Sequence, residues 1–126
     1  MIYGMNHFTI TAEDREKTLE FYCGLLGLEV GPRPDFSFPG AWLYAAGQGE
    51  AILHIYWDRP MPVNRTGVID HMAFSAKGLR ELKARFDAKG IAYELRQQAG
   101  TGLWQFFSTD PNGALVELDF SSEEAL

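Results

Sequence analysis

An internal repeat constrains this chain more than any other feature of its sequence. His7 and His71 stand 64 positions apart, and His54 and Glu117 stand 63 apart. Each half therefore carries a ligand-type residue in its first and its last expected strand, and half the chain alone could not close a site. A length of 126 residues is ordinarily one domain with room for a real core. Here it reads as one domain made of two similar halves that share a sheet system.

The order of expected elements is the same twice. In the first half Met5 to Thr11 alternates like a strand. Asp14 can cap a helix running to about Leu26, which Gly27 stops. Leu19, Cys23 and Leu26 fall at i, i+4 and i+7, one apolar stripe. Strand-like runs Leu28 to Val30, Ala41 to Ala46 and Ala51 to Trp57 follow, separated by Gly/Pro-rich loops. Residues 58–67 hold two prolines and little apolar periodicity, so they read as a linker between a first module, 1–57, and a second, 68–126. The second module opens with a strand over Val68 to Ser75 and continues with a helix near Leu79 to Lys89 that Gly90 ends. Its further strands are Ile91 to Leu95, Leu103 to Ser108 and Ala114 to Phe120. Asp110-Pro111-Asn112-Gly113 is a strong turn signal before the last of them. The pattern is βαβββ, twice.

Composition removes several classes of function. A hydrophobic fraction of 46% with 22% charged residues fits a globular protein and not a disordered one. A net charge of −6 without a Lys/Arg cluster argues against nucleic acid or an anionic membrane as partner. No stretch approaches the roughly 20 apolar residues of a membrane span, and the first residues lack a signal-peptide pattern. The single cysteine, Cys23, excludes an internal disulfide and agrees with a reducing compartment. The expectation is a cytoplasmic protein.

Side chains along a strand alternate between faces. His7 shares a face with Thr9 and Thr11, His71 with Ala73 and Ser75, His54 with Ile52 and Tyr56, and Glu117 with Leu115 and Asp119. All four oppose a continuous apolar face and should look away from the helix-packed core, into a groove or water. Any one of them alone would be an ordinary solvated residue. Together they are the only histidines of the chain plus one carboxylate, at matching positions of a repeat. Three imidazoles and a carboxylate are donors that Zn²⁺, Ni²⁺, Fe²⁺ or Mn²⁺ accept.

The paired modules and several motifs resemble the vicinal oxygen chelate superfamily. The motifs are Asn6-His7-Phe8-Thr9-Ile10, Phe21-Tyr22-Cys23-Gly24-Leu25-Leu26-Gly27-Leu28, Asp70-His71-Met72-Ala73-Phe74 and Asp110 through Leu118. That superfamily includes glyoxalase I, extradiol dioxygenases, fosfomycin-modifying thiol transferases, methylmalonyl-CoA epimerase and bleomycin-binding proteins. The resemblance implies an α+β fold, the glyoxalase/bleomycin resistance/dioxygenase fold, in which two βαβββ modules form a cupped mixed sheet. It implies that His7, His71 and Glu117 form a metal triad. His54 would be a fourth ligand, where relatives commonly place glutamate, or a general base beside the metal. A divalent cation so held would stabilise negative charge on a small substrate chelated through two adjacent oxygens.

The resemblance leaves the reaction open. A glyoxalase-like lyase or isomerase, with Glu117 as ligand and base, stands slightly ahead of an extradiol-type ring-cleaving dioxygenase. A metal-free binding protein of the bleomycin-resistance type is the alternative from another class, and a member with a purely structural metal is a third. Only nine residues follow Glu117, which sets the chain apart from the fosfomycin thiol transferases. A homodimer with two sites is implied as well.

Trp42, Tyr44, Tyr56, Trp104, Phe106 and Phe107 would border the pocket, at least half of them as core. Arg33, Arg59, Arg65 and Arg96 are available at loops and strand ends. Cys23 reads as a small buried thiol and not a nucleophile. Gly47, Gly49, Gly100 and Gly102 read as loop glycines. Asp70, on the face opposite His71, is assigned no chemistry.

Overall fold

A computed structural model describes residues 1–126. The chain divides into two compact units, Met1–Val63 and Asn64–Leu126. The first holds β1 (Phe8–Thr11), α1 (Arg15–Leu19) with a π-helical continuation over Glu20–Leu25, β2 (Leu28–Gly31), β3 (Gly40–Ala45) and β4 (Ala51–Tyr56). The second holds β5 (Met72–Ser75), α2 (Leu79–Lys89), β6 (Glu94–Gln97), β7 (Trp104–Thr109) and β8 (Leu115–Phe120). Each unit has its own four-stranded sheet, ordered β1-β4-β3-β2 and β5-β8-β7-β6. The first strand of each pairs parallel with the last and the other pairings are antiparallel. The class is therefore α+β with mixed sheets, and no helix is long and apolar enough to cross a membrane.

Registers repeat as the sequence does. Thr9 pairs with His54 in the first sheet and Ala73 pairs with Glu117 in the second. His7 and His71 stand two residues ahead of Thr9 and Ala73. The opening strands begin later than their alternation predicts, at Phe8 and Met72 rather than Met5 and Val68. His7 and His71 consequently lie just outside the hydrogen-bonded ladder.

Asp14 caps α1, its Oδ1 accepting from the Lys17 amide at 3.0 Å. The face this helix buries differs from the expected stripe: Thr18, Phe21, Tyr22 and Leu25 are buried, whereas Leu19, Cys23 and Leu26 are half-buried. The two stripes have similar spacing and differ by a rotation of one residue, which periodicity alone cannot resolve. Burying two large rings decides it. A five-residue hydrogen bond, Leu26 amide to Phe21 carbonyl at 3.1 Å, widens the last turn.

The second unit follows its pattern more closely. Leu79, Leu82 and Phe86 are buried on α2, and Phe86 meets Phe106 of β7 edge to face with centroids 4.8 Å apart. Gly90, in the left-handed region at φ 64°, ends the helix. Its start is unusual, because Gly78 has no side chain with which to cap it. The Glu124 carboxylate does so instead, accepting from the Leu79 amide at 2.7 Å and the Gly78 amide at 3.1 Å. The tail is held in place by Trp104 Nε1, which donates to the Glu124 carbonyl at 2.8 Å.

Buried and half-exposed residues alternate along β4, with Ala51, Leu53 and Ile55 inside and Ile52, His54 and Tyr56 on the other face. Of the six aromatics expected around the pocket only Phe106 is core; Trp42, Tyr44, Tyr56, Trp104 and Phe107 are half-exposed. The helices and the aliphatic residues fill the cores, so these rings remain on the opposite faces.

Candidate metal centre

In the first unit His7 and His54 come together. Their rings stack with centroids 3.7 Å apart and planes 13° apart. Trp42, the cross-strand neighbour of His54, stacks on it at 4.1 Å. Two near-parallel rings that close to a third cannot share one face, so His54 is sandwiched and offers only its edge. Burial, chiefly, with the charges of His7 and Arg33 adding to it, lowers the His54 pKa below its ordinary value. The neutral ring, the form that ligates or takes a proton, is thereby favoured. His7 is oriented by its chain neighbour, its Nδ1 lying 2.6 Å from Asn6 Oδ1.

In the second unit His71 and Glu117 come together. His71 Nε2 lies 2.7 Å from Glu117 Oε2, and His71 Nδ1 lies 2.7 Å from Asp70 Oδ2. The hydrogen bond to Asp70, followed by the charges of both carboxylates, raises the His71 pKa although partial desolvation opposes it. Contrary to the alternation rule, Glu117 is 5% exposed. It faces away from α2, but Gln105 of β7 covers it and donates to Oε1 at 2.6 Å. Beside it, Asp119 has a buried Oδ1 with no hydrogen-bond partner. Burial first, then the hydrogen bond and charge of Glu117, push the Asp119 carboxyl up to about 6.

The expectation that Asp70 points to the face opposite His71 is overturned by its bond to that ring. Strand alternation does not apply there, since β5 begins only at Met72, and the chain ahead of it can turn the carboxylate back onto the ring. Asn6 performs the same service for His7. The two acceptors stand 64 positions apart, the spacing of the histidines themselves, and that signal was present in the sequence. Gln105 and Asp119 were missed for a different reason: their roles depend on cross-strand pairing, Gln105 with Asp119 and Phe107 with Glu117. Cys23 is half-buried and its pKa is raised by burial, which leaves it a poor nucleophile.

The chain thus assembles its ligand-type residues as pairs, and no group of three or more His, Cys, Asp or Glu side chains comes together as a metal-holding set. The donors nevertheless suit a divalent cation. His54 is held neutral, both ordered histidines keep Nε2 free of their orienting neighbour, and a buried Glu117 beside Asp119 is negative charge that a cation would offset.

Comparison with known proteins gives the geometry a context. The sequence profile described as the Glyoxalase/Bleomycin resistance protein/Dioxygenase superfamily matches residues 4–118. The 2,2',3-trihydroxybiphenyl dioxygenase of Sphingomonas paucimobilis is 24% identical over 127 residues, covering 97% of this chain. The chain spans only 42% of that curated relative's length. A glyoxalase family protein from Enterococcus faecalis is 29% identical with a TM-score of 0.65, covering 92% of this chain and 96% of that one. A mutant of the fosfomycin resistance protein FosX from Listeria monocytogenes was crystallised with Mn(II) and 1S,2S-dihydroxypropylphosphonic acid. It is 21% identical with a TM-score of 0.73, covering 96% and 94% of the two chains, a likeness of fold. With the profile covering nearly its whole length and both modules built as mixed βαβββ sheets, the chain belongs to the Glyoxalase/Bleomycin resistance protein/Dioxygenase superfamily.

Proposed function

We propose that the protein is a divalent-metal-dependent enzyme that uses dioxygen as co-substrate, both of its atoms entering the product, to cleave the ring of a small substrate carrying two adjacent oxygens, with His7, His71 and Glu117 as ligands and His54 as base. One observation carries this reading. In both modules the residue ahead of the histidine takes up Nδ1, at 2.6 Å for Asn6 and 2.7 Å for Asp70, and so fixes the ring with Nε2 turned away from that neighbour, in the second module onto the Glu117 carboxylate. Metal-bound histidines characteristically have such an outer partner. Two histidines and one carboxylate are the donor set of non-haem iron oxygenases. The match to a dioxygenase supports the same choice.

The chain's own residues divide the work as follows. His54, neutral and clamped between His7 and Trp42, is positioned to take a hydroxyl proton from the bound substrate. Gln105 and His71 hold the two oxygens of Glu117, which limits that carboxylate to one orientation. Asp70 accepts from His71 Nδ1 and so holds the ring in the tautomer whose Nε2 carries the lone pair. A bound divalent cation would supply the charge that favours ionised, adjacent substrate oxygens. The half-exposed rings Trp42 and Tyr56 offer flat apolar surface beside His54.

A glyoxalase-like lyase or isomerase is the second reading. The placement of Glu117 favours it: a buried carboxylate against an imidazole could move a proton alpha to a carbonyl. A homodimer completes both readings. It is supported by exposed Met1, Ile2, Tyr3, Met5, Val68 and Ile69.

The test is the metal content of protein purified without chelator and without oxygen, next to a His71→Ala control. Near-stoichiometric Fe or Mn lost in the variant, with oxygen uptake on catechols, is the expected result. Zn or Ni with turnover of hemithioacetals would transfer the assignment to the second reading. No metal in either protein, even after adding it back, would leave a metal-free binding protein.

A further inference from the structure

Two arginines of the first unit stand out in an acidic chain because neither meets a carboxylate. Arg33 lies over Phe36 and Phe38, its Cζ 4.9 and 5.1 Å from the ring centroids. Arg59 lies over Tyr56 and Phe38, at 3.8 and 5.2 Å. Phe38 therefore carries both guanidinium groups. Like charges sharing one ring repel, and the chain has 17 acidic residues available to relieve them. Asp58, next to Arg59 in sequence, pairs instead with Arg15 at 2.6 Å.

The seat of Arg33 is built. Its Nη2 donates to the Phe38 carbonyl at 3.0 Å. A Cβ on Gly40 would stand 2.7 Å from that same nitrogen and 2.6 Å from the Ile55 carbonyl, so the glycine provides the notch that the guanidinium fills. The rest of its planar donor fork is unused, and Arg59 uses none of its own. Such forks match carboxylates in paired hydrogen bonds. The surface around them is aromatic. Phe36 stacks on Phe38 at 5.1 Å and approaches Trp42 at 6.3 Å, and Trp42 stacks on His54. Tyr56 meets Phe38 edge to face at 5.6 Å.

We propose that Arg33 and Arg59 form the acid-binding end of the site, and that the ligand is an aromatic ring bearing a carboxylate, seated on Phe36, Phe38 and Trp42. Two guanidinium groups without carboxylate partners, beside exposed Phe36 and half-exposed Phe38 and Trp42, suit a ligand with both features: the rings alone would take any flat apolar molecule, and the arginines alone any small anion. This names the substrate class for the enzyme proposed above and rests on that reading for turnover, though not for binding.

The experiment is therefore a binding titration on chelator-treated protein with benzoate, benzyl alcohol and acetate, none of which has adjacent hydroxyls to chelate a metal. Benzoate should bind at least about tenfold more tightly than either of the others, the ring and the acid each contributing. Arg33→Gln and Arg59→Gln should each weaken benzoate about tenfold and leave benzyl alcohol unchanged. Arg15→Gln, which removes a charge already paired, should leave benzoate unchanged. Circular dichroism checks that each variant folds. Equal affinity for benzoate and benzyl alcohol, equal affinity for benzoate and acetate, or benzoate binding indifferent to both arginines would each overturn the proposal. Failure of catechol turnover by metal-loaded protein would count against the dioxygenase reading and leave this result standing.

Discussion

His71 Nε2 stands 2.7 Å from Glu117 Oε2 while its Nδ1 stands 2.7 Å from Asp70 Oδ2, so one imidazole bridges two carboxylates from different parts of the second module. Without a metal both contacts are best made by the doubly protonated ring, because each carboxylate can only accept. A cation taking up Nε2 and Oε2 would displace one proton and leave the bond to Asp70 intact. Asp70 is therefore a positioning residue for a ligand. Asp70→Ala should weaken metal binding about 10- to 100-fold, the usual effect of losing such an outer partner, while the far-ultraviolet spectrum stays the same. Calorimetric titration with Fe²⁺ or Mn²⁺ reads this directly, and an unchanged affinity would remove Asp70 from the site.

The same cluster sets how the metal-free chain responds to pH. His71 has a raised pKa, so the stability it contributes is complete below its unfolded value and disappears as pH climbs through the folded one. Asp119, raised to about 6 from 3.8, acts in the same direction: its folded form holds the proton more tightly, and stability is lost as pH rises through that interval. His54, lowered, opposes them, contributing above its ordinary value and losing that contribution as pH falls. Of these groups only Asp119 loses stability between its ordinary 3.8 and about 6, so across that interval the melting temperature of chelator-treated parent protein should fall relative to that of Asp119→Asn. Parallel melting profiles of the two proteins across it would contradict the assignment.

Away from the site, the cap on α2 gives a plain stability prediction. Gly78 contributes no side chain, and Glu124 satisfies two amides at the helix start from 45 residues further along the chain. Glu124→Ala should cost about 1 kcal/mol, the usual value for losing an N-cap. Urea unfolding would show it as a lower midpoint with an unchanged slope. Glu124→Gln should retain a part, since an amide oxygen still accepts but without charge at the positive helix end.

Legibility followed interaction range. The βαβββ order, the class and the faces of β4 and β8 rest on local periodicity and turn chemistry, so Asp14, Gly90 and the Asp110 turn could be read from neighbouring residues. The rotation of α1 could not, because stripes offset by one residue differ only in how they fit the sheet beneath. Nor could the burial of Glu117, which depends on Gln105 across the β7–β8 ladder, or the Glu124 cap, which joins residues far apart in sequence. Asp70 was misjudged by extending strand alternation past the end of the strand. The aromatics were misjudged by propensity: Trp42 and Tyr56 belong to strands, but their face is the one no helix covers.

The pairwise grouping of donors makes the proposed dimer testable with variants that each damage one pair. In the proposed arrangement His7 and His54 of one protomer serve the same site as His71 and Glu117 of its partner. A His7→Ala protomer paired with a Glu117→Ala protomer would then have one site with both defects and one site with neither. Random reassortment makes about half of all dimers mixed, so refolding equal amounts of the two variants together should restore about a quarter of the parent's high-affinity metal sites. Refolded separately, each variant should restore none. If every site were built from a single chain, all sites in the mixed dimers would be damaged, and the mixture would bind no better than its components. Metal stoichiometry after gel filtration separates these outcomes and depends on neither the substrate nor the reaction.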